Sequence, residues 1–275
     1  MTINCKGTLL DLNSPKVMGI LNITPDSFYD GGMYKDEISI LNQTEKMLVD
    51  GATFIDVGAY SSRPGAAEVS EEEELKRIVP VIELLIKKFP DIIISVDTFR
   101  SKVAKETISL GAAIINDISG GNLDSKMYET IAKLEVPYIL MHMAGTPKTM
   151  QNNPTYEDVT KDLIYFFSEK TDQLHRLNVS DIIIDVGFGF GKTIEHNFQL
   201  LRNMSLFQHL DKPILAGLSR KSMLYKTLDI TAQEALNATT SANTIALLNG
   251  ANILRVHDVK EAVEAVTLVN QLGAT

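Results

Sequence analysis

Three observations predict a (β/α)8 TIM barrel, an α/β fold with eight parallel strands. First, eight short apolar runs alternate with helical patterns: Val17–Ile23, Phe54–Ala59, Ile92–Val96, Ala113–Ile115, Tyr138–Met141, Ile182–Ile184, Ile214–Leu218 and Asn252–Leu254. Strands that alternate with helices form a parallel sheet. Second, polar residues stand at or just beyond the run ends: Asn22, Arg63, Asp97, Asn116, His142, Asp185, Lys221, and Arg255 with His257. Parallel strands buried on both faces are apolar throughout, so polar groups at all the ends need one cause. A site at the C-terminal mouth of a barrel supplies it. Third, 275 residues is an ordinary length for such a barrel. The alternative, a doubly wound open sheet, gathers ligand groups from two or three strands at a switch point.

The elements follow in order. Thr2–Cys5 and Thr8–Leu12 read as a short N-terminal hairpin turning at Lys6-Gly7, a plug for the barrel floor. The first barrel strand, VMGILNI, leads through TPDSFYDGGMY to a helix over Glu37–Asp50. FIDVGA and the loop YSSRPGAAEV lead to a helix capped by Ser70, with Glu73 completing a capping box. Its acidic run Glu71–Glu74 suits the helix dipole better than a metal. IIISVD precedes a helix at Lys102–Leu110, and AIIND with Gly120-Gly121 precedes Ser125–Leu134. YILMHM and a long loop, AGTPKTMQNNPTY, precede Glu157–Leu177. IIIDVGFGFGK precedes a helix near Ile194–Leu210, ILAGLSRKS precedes helical stretches chiefly over Thr231–Leu248, and NILRVH precedes Val259–Leu272. No linker or low-complexity segment interrupts this rhythm, so one domain over residues 1–275 is expected. The long loops after strands one, two and five are where function concentrates.

Composition narrows the function classes. A net charge of −9 argues against nucleic acid or an anionic membrane as partner. Yet Arg63, Lys221 and Arg255 collect at strand ends, which points to a local anion site. A single cysteine, Cys5, excludes an internal disulfide and fits a reducing compartment. The N-terminus lacks a basic segment followed by a long apolar stretch, so no signal peptide is expected. No apolar run approaches the roughly 18 residues that span a bilayer. A cytoplasmic location is the expectation. The five histidines lack zinc-site spacing, and His142, between two methionines, reads as a packed side chain.

The loops carry the candidate chemistry. Asn22 leaves strand one ahead of a Pro25-Asp26 turn and a Gly31-Gly32 pair, either a mobile loop or ordinary surface. Arg63, stiffened by Pro64, suits bidentate capture of phosphate or carboxylate, or a rim salt bridge. Asp56, inside strand two, is costly unless paired, which favours a partnership with a barrel cation. Asp97, Asn116 and Asp185 end strands three, four and six. A carboxylate there can accept two parallel N–H bonds from an aminopyrimidinone edge, although capping the next helix remains the alternative for Asp97 and Asn116. The segment 185–193 is not a phosphate loop, because Val186 stands where that pattern needs glycine. It reads as a tight glycine turn that presents Phe190 and lets a ligand approach the backbone. Lys221 shares a face with Ser219 if the strand persists, and serves as a point-charge anchor. Arg255 and His257 face one side, so that two cationic donors meet one anion where such barrels bind phosphate.

Together these stretches resemble the dihydropteroate synthases of the pterin-binding (β/α)8 family: GILNITPDSFYDGG, SSRPGA, SVDT, NDISG, MHMAGTPKTMQ, DVGFGFGK, SRKS and RVHDV, in the family's order over nearly the whole chain. The resemblance implies condensation of 6-hydroxymethyl-7,8-dihydropterin diphosphate with 4-aminobenzoate to give 7,8-dihydropteroate and diphosphate. It implies that Asp97, Asn116, Asp185 and Lys221 hold the pterin. Asn22, Arg63, Arg255 and His257 would hold diphosphate, with Mg2+ at Asn22. Aminobenzoate would lie near Ser62, Pro64, Phe190, Lys221 and Ser222, beneath the loop carrying Phe28, and Asp30 or diphosphate would take the released proton. A homodimer through outer helices is implied as well. Loop two departs from the family's Gly-Glu-Ser-Thr-Arg-Pro-Gly: here it reads Ala59-Tyr60-Ser61-Ser62-Arg63-Pro64-Gly65, and Tyr29 stands where serine is common. Competing readings are a pterin-binding methyltransferase of the same superfamily and a non-catalytic pterin-binding paralogue. Arg255→Ala is expected to lose diphosphate while sparing a bare pterin.

Overall fold

The computed structural model describes residues 1–23, 33–60, 69–146, 150 and 154–273, with the backbone alone at 33–36. An N-terminal hairpin pairs β1 (Thr2–Cys5) with β2 (Thr8–Asp11). Its turn residues Lys6 and Gly7 both have positive φ, 55° and 81°, as a two-residue hairpin turn of type I′ requires. The barrel strands are β3 (Lys16–Asn22), β4 (Phe54–Gly58), β5 (Ile94–Asp97), β6 (Ile114–Asp117), β7 (Tyr138–Met141), β8 (Ile182–Asp185), β9 (Ile214–Ala216) and β10 (Ile253–Val256). Each pairs in parallel with the next, and β10 closes on β3. Around them lie α1 (Met33–Val49), α2 (Glu71–Lys88), α3 (Ser101–Ser109), α4 (Met127–Leu134), α5 (Val159–Arg176), α6 (Ile194–Arg202), α7 (Ser222–Thr227), α8 (Leu236–Leu248) and α9 (Val259–Leu272). The fold is the expected (β/α)8 barrel with a hairpin, not an open sheet.

Caps explain where several helices start. Ser70 Oγ accepts from Glu73 N at 3.2 Å. Only this half of the expected capping box forms, because the Glu73 carboxylate takes Arg77 at 2.8 Å instead. Asp158 opens α5 by accepting from Thr160 N and Lys161 N. Thr193 and His196 bond reciprocally at the start of α6. The expected helix over 194–210 ends at Arg202 and resumes as 3-10 turns over Met204–Leu210. Asn203 makes the break, its amide held by Thr160 Oγ1 at 3.1 Å. The last long helix before β10 begins at Leu236, later than expected.

Side-chain alternation divides the barrel into layers. Val17, Ile55, Ile94, Tyr138, Ile182 and Leu254 face outward into the main core under the helices. Ile3, Cys5 and Leu12 pack with inward-facing Met18, Phe54, Ile114, Ile139, Ile183, Leu215 and Ile253. The hairpin therefore plugs the floor, as its pattern predicts. Two residues further along these strands, on the same inward face, stand Ile20, Asp56, Asn116, Met141, Asp185, Gly217 and Arg255. The interior thus passes from an apolar floor to a charged upper layer in one step of the pleat.

Candidate active site

The upper layer is a connected network. Arg255 Nε donates to Asp56 Oδ2 at 2.6 Å and Nη2 donates to Asp97 Oδ2 at 2.8 Å. Asn116 Nδ2 donates to the same Asp56 oxygen at 3.1 Å. Asp56 is fully buried, and it is the partner of a barrel cation that its position in the strand predicts. The opposite oxygen of the amide, Asn116 Oδ1, is buried without a partner, as are Asp56 Oδ1 and Ser95 Oγ below it. Leaving a buried acceptor unpaired costs about 1–3 kcal/mol, which an N–H donor of a bound ligand would recover. Neither Asp97 nor Asn116 caps a helix. α3 starts at Arg100 without a side-chain cap, and the turn after β6 is held by Asp117, which accepts from Ser119 N, Gly121 N and Tyr138 Oη.

Asp185 and Lys221 complete one half of the mouth. Asp185 Oδ1 accepts from Gly187 N at 2.8 Å. Burial pushes its carboxyl up, against the pull of Lys221 and Arg255. Burial raises Asp97 as well, in spite of Arg255. Lys221 is brought down to about 8 by burial and by Arg255, with Asp185 and Asp97 opposing. β9 stops at Ala216, so Lys221 does not reach the site along a strand, as the sequence pattern supposes. It sits on the turn before α7, where Arg220 takes positive φ of 54°. Arg220 is fastened to Asp258 by two bonds of 2.9 and 2.8 Å.

The 187–191 turn also differs in its reason. A Cβ on Gly187 would fall 2.1 Å from the carbonyl oxygen of His142, and one on Gly191 2.8 Å from the Ala144 side chain. At Gly187 and Gly191 the close approach is to the chain after β7, whereas at Gly189 the nearest side chain is Lys221. Phe190 lies with its ring 4.3 Å from Lys221 Nζ, a cation–π distance. Ser222, half-buried, opens α7 beside it.

His257 stands at the rim beyond β10. The Ser219 hydroxyl accepts from His257 N at 3.2 Å and lies 3.0 Å from its Nδ1. Packing first, then Arg255, lower its pKa to about 4, with Arg220 and Lys221 adding repulsion. Because the ring is exposed, the neighbouring cations are the firmer cause. These neighbours favour the neutral imidazole of His257 over the second cationic donor that the sequence spacing suggests. Asn22 ends β3 with an exposed side chain. Hydrogen bonds thus join Asp56, Asp97, Asn116 and Arg255; Asp185 and Lys221 feel Arg255 electrostatically, Phe190 lies against Lys221, and His257 is bonded to Ser219. Phe28, Asp30, Ser62, Arg63 and Pro64 lie outside the described residues.

Other groups escaped the sequence reading. Glu74 is fully buried and bonded to Thr98 Oγ1 at 2.7 Å and to Arg100. The Arg100 guanidinium lies 5.6 Å from the Tyr60 ring and 5.0 Å from that of Phe99. A signal was available: Glu74, Ile78, Val81, Ile82 and Leu85 fall on one helical face. Lys192 and His142 are buried together, as taken up below. Two hollows of about 270 and 260 Å3 open near the hairpin end of the barrel, by Asp181 and by Asn252, away from this network.

With this geometry in hand, comparison with known proteins is decisive. The pattern of the family described as pterin binding enzyme matches residues 18–257. The chain is 45% identical over 271 residues to dihydropteroate synthase of Escherichia coli K12, covering 98% of this chain and 95% of that one. This chain belongs to the dihydropteroate synthase family. It is accordingly an enzyme, a transferase. The Yersinia pestis dihydropteroate synthase, solved with a sulfonamide drug, superposes with a TM-score of 0.93 at 44% identity over the whole of both chains. The Xanthomonas albilineans dihydropteroate synthase, solved with 4-aminobenzoic acid, gives 0.91 at 36% identity over 100% of this chain and 98% of that one. Within the dihydropteroate synthase family, the upper-layer residues are the natural place to look for chemistry.

Proposed function

We propose that the barrel mouth condenses 6-hydroxymethyl-7,8-dihydropterin diphosphate with 4-aminobenzoate through two adjoining half-sites, and that residues 1–275 act as one domain. The observation that carries this reading is the unpartnered Asn116 Oδ1 in the buried network of Asp97, Asp56 and Arg255. A flat aminopyrimidinone offers the donors this layer lacks. Asp185 accepts its 2-amino and ring N–H edge, Asn116 and Asp97 take further polar atoms, and Lys221 meets a ring acceptor. Asn22, Arg63, Arg255 and His257 take the diphosphate. Phe28, Ser62, Pro64, Phe190, Lys221 and Ser222 flank the aminobenzoate.

The chemistry asks little of a base. The bond between the exocyclic carbon and the diphosphate oxygen breaks, its electron pair leaves with diphosphate, and the electron-rich dihydropterin spreads the positive charge. The arylamine nitrogen then bonds that carbon and releases a proton, to Asp30 or to diphosphate. The protein's task is preorganised stabilisation of the leaving charge, where losing one donor costs roughly 100–1,000-fold in rate. Arg255 is held in place for this by Asp56 and Asp97, which use two of its five N–H donors. A seated diphosphate would oppose the cations that lower the His257 pKa and favour its protonated form.

Mg2+ fits this mouth. Among the described residues no cluster of three His, Cys, Asp or Glu could hold a metal, but Mg2+ typically binds one or two protein oxygens plus substrate phosphates. Asn22, exposed at the end of β3, offers an amide oxygen of that kind. Bound there, the ion would neutralise diphosphate charge.

The finer setting belongs to the same proposal. No helix among the described residues is long and apolar enough to cross a membrane, and the cytoplasm suits a chain with one buried thiol. A homodimer is supported by α8 and α9, which pack together and expose Ile245, Leu248, Leu268 and Leu272. Leu268→Glu is expected to yield a monomer in sedimentation, and unchanged mass would remove this face from consideration. The central test supplies purified protein with the pterin diphosphate, Mg2+ and 4-aminobenzoate. Dihydropteroate and diphosphate should appear in equal amounts, and absence of both defeats the proposal.

A further inference from the structure

Lys192 carries a buried amine that neither half-site uses; burial lowers its pKa to about 7, with Asp185 opposing. It is only 4% exposed. Its Nζ lies 2.9 Å from Phe190 O, 3.0 Å from Gly187 O, 3.2 Å from His142 O and 3.1 Å from His142 Nδ1. An ammonium has three donors, and here four acceptors surround it. Burial, then Lys192 itself, pushes the His142 pKa down to about 2. The imidazole is therefore neutral, and in the tautomer that carries its proton on Nε2 it accepts at Nδ1.

Two of those carbonyls bracket the turn after β8. From the same turn, Gly187 N donates to Asp185 Oδ1 at 2.8 Å, and the Phe190 ring meets Lys221 at 4.3 Å. On its outer side Gly189 N donates to Asn197 Oδ1 at 2.8 Å. Asn197 Nδ2 returns to Thr193 O at 2.6 Å. The third carbonyl, His142 O, ties the turn to the chain leaving β7. A side chain that only filled space would need none of these bonds, and a methionine would fill it at lower desolvation cost.

We propose that Lys192 is a positioning residue: its buried Nζ locks the 187–190 turn and thereby sets Asp185 for the pterin and Phe190 with Lys221 for the aminobenzoate together. The inference rests on the assignment of those two half-sites. It differs from a purely structural role in predicting that one substitution disturbs both substrates.

The test compares KM for each substrate in wild type, Lys192→Met, Asp185→Asn and Phe190→Ala, at a temperature where each variant is folded by circular dichroism. Loss of a charge-assisted hydrogen bond costs on the order of ten- to a hundredfold in a binding constant. Lys192→Met should therefore raise both KM values by roughly ten- to a hundredfold, whereas Asp185→Asn raises chiefly the pterin value and Phe190→Ala chiefly the aminobenzoate value. A folded Lys192→Met enzyme with either KM within twofold of wild type overturns the proposal. Wild type without turnover overturns the site assignment instead. If Lys192→Met does not fold, 15N-lysine NMR of the wild-type protein decides. At pH 6, below its pKa of about 7, the buried ammonium signal should shift with 4-aminobenzoate alone and with the pterin diphosphate alone, and a signal unmoved by either contradicts the coupling.

Discussion

At the scale of single residues, Arg255 shows how a structure changes an expectation. Read from the sequence, it is an anion donor whose loss spares the pterin. In the structure it neutralises Asp56 and Asp97, and Asp56 in turn holds Asn116. Arg255→Ala strands a fully buried carboxylate, a loss of roughly 3–5 kcal/mol. We expect a lower urea midpoint and weaker binding of a bare pterin as well as of diphosphate by calorimetry; pterin affinity and midpoint both unchanged would mean the network is not shared. His142 makes a prediction in pH. Its folded pKa of about 2 lies far below the ordinary 6.5. Between these values the unfolded chain binds the extra proton, so the His142 contribution to stability is whole above about pH 6.5 and is lost as the medium becomes more acidic. The slope reaches about 1.4 kcal/mol per pH unit. His142→Asn keeps an acceptor for Lys192 but does not titrate, so urea melts at pH 7 and pH 5 should lose less stability on acidification than wild type does. Parallel losses in both proteins would place the acid sensitivity elsewhere.

At the scale of elements, α2 is tied to the β5–α3 junction by a buried pair. Arg100 reaches back to Glu74 and to the Val69 carbonyl while lying against Tyr60. Tyr60 is where the family usually carries glutamate, so in this chain an aromatic ring, not a second acid, faces the guanidinium at the entry to loop two. Arg100→Ala alone should cost roughly 3–5 kcal/mol, while Arg100→Ala with Glu74→Leu should recover much of it, because a buried pair removed whole is often near neutral. Chemical denaturation of both variants measures this, and a double variant as weak as the single one refutes the pairing. The same scale shows what the sequence made legible. Strand ends were readable because period two and apolar runs mark them, which is why Asp97, Asn116, Asp185 and Arg255 fall in one layer. Helix starts were readable where Ser70 stands ahead of an apolar face. The route of Lys221 was not, because a left-handed Arg220 breaks the strand parity that spacing assumes. Lys192 was not either, since its partners are backbone carbonyls that leave no trace in residue types. Glu74 belongs by sequence to an acidic run that suits the helix dipole, but its helical face, shared with Ile78, Val81, Ile82 and Leu85, marks it for a buried partner.

At the scale of the molecule, the barrel is a stack: hairpin, apolar floor, charged layer, loops. The floor separates water below from the charged network above, so its integrity maintains the low dielectric that makes the network's bonds strong. The hairpin is fastened at both ends, by Asn4 N to Asp181 Oδ2 at 2.9 Å and by Asn252 Nδ2 to Leu12 O at 2.9 Å. Lifting it would expose Phe54, Ile183, Leu215 and Ile253 to water, at roughly 1.5–3 kcal/mol for each large side chain uncovered. Cys5 reports on this opening. It is buried in the floor, and burial, reinforced by Asp181, pushes its thiol up to about 12. Only the thiolate attacks a disulfide reagent, so the folded protein should be inert at pH 8 and react only when the floor opens. If the hairpin and barrel part only together, the urea dependence of labelling should match that of global unfolding, since the slope scales with surface exposed. Fast labelling with little urea dependence would show instead that the plug lifts by itself, and the floor would then not be what isolates the charged layer.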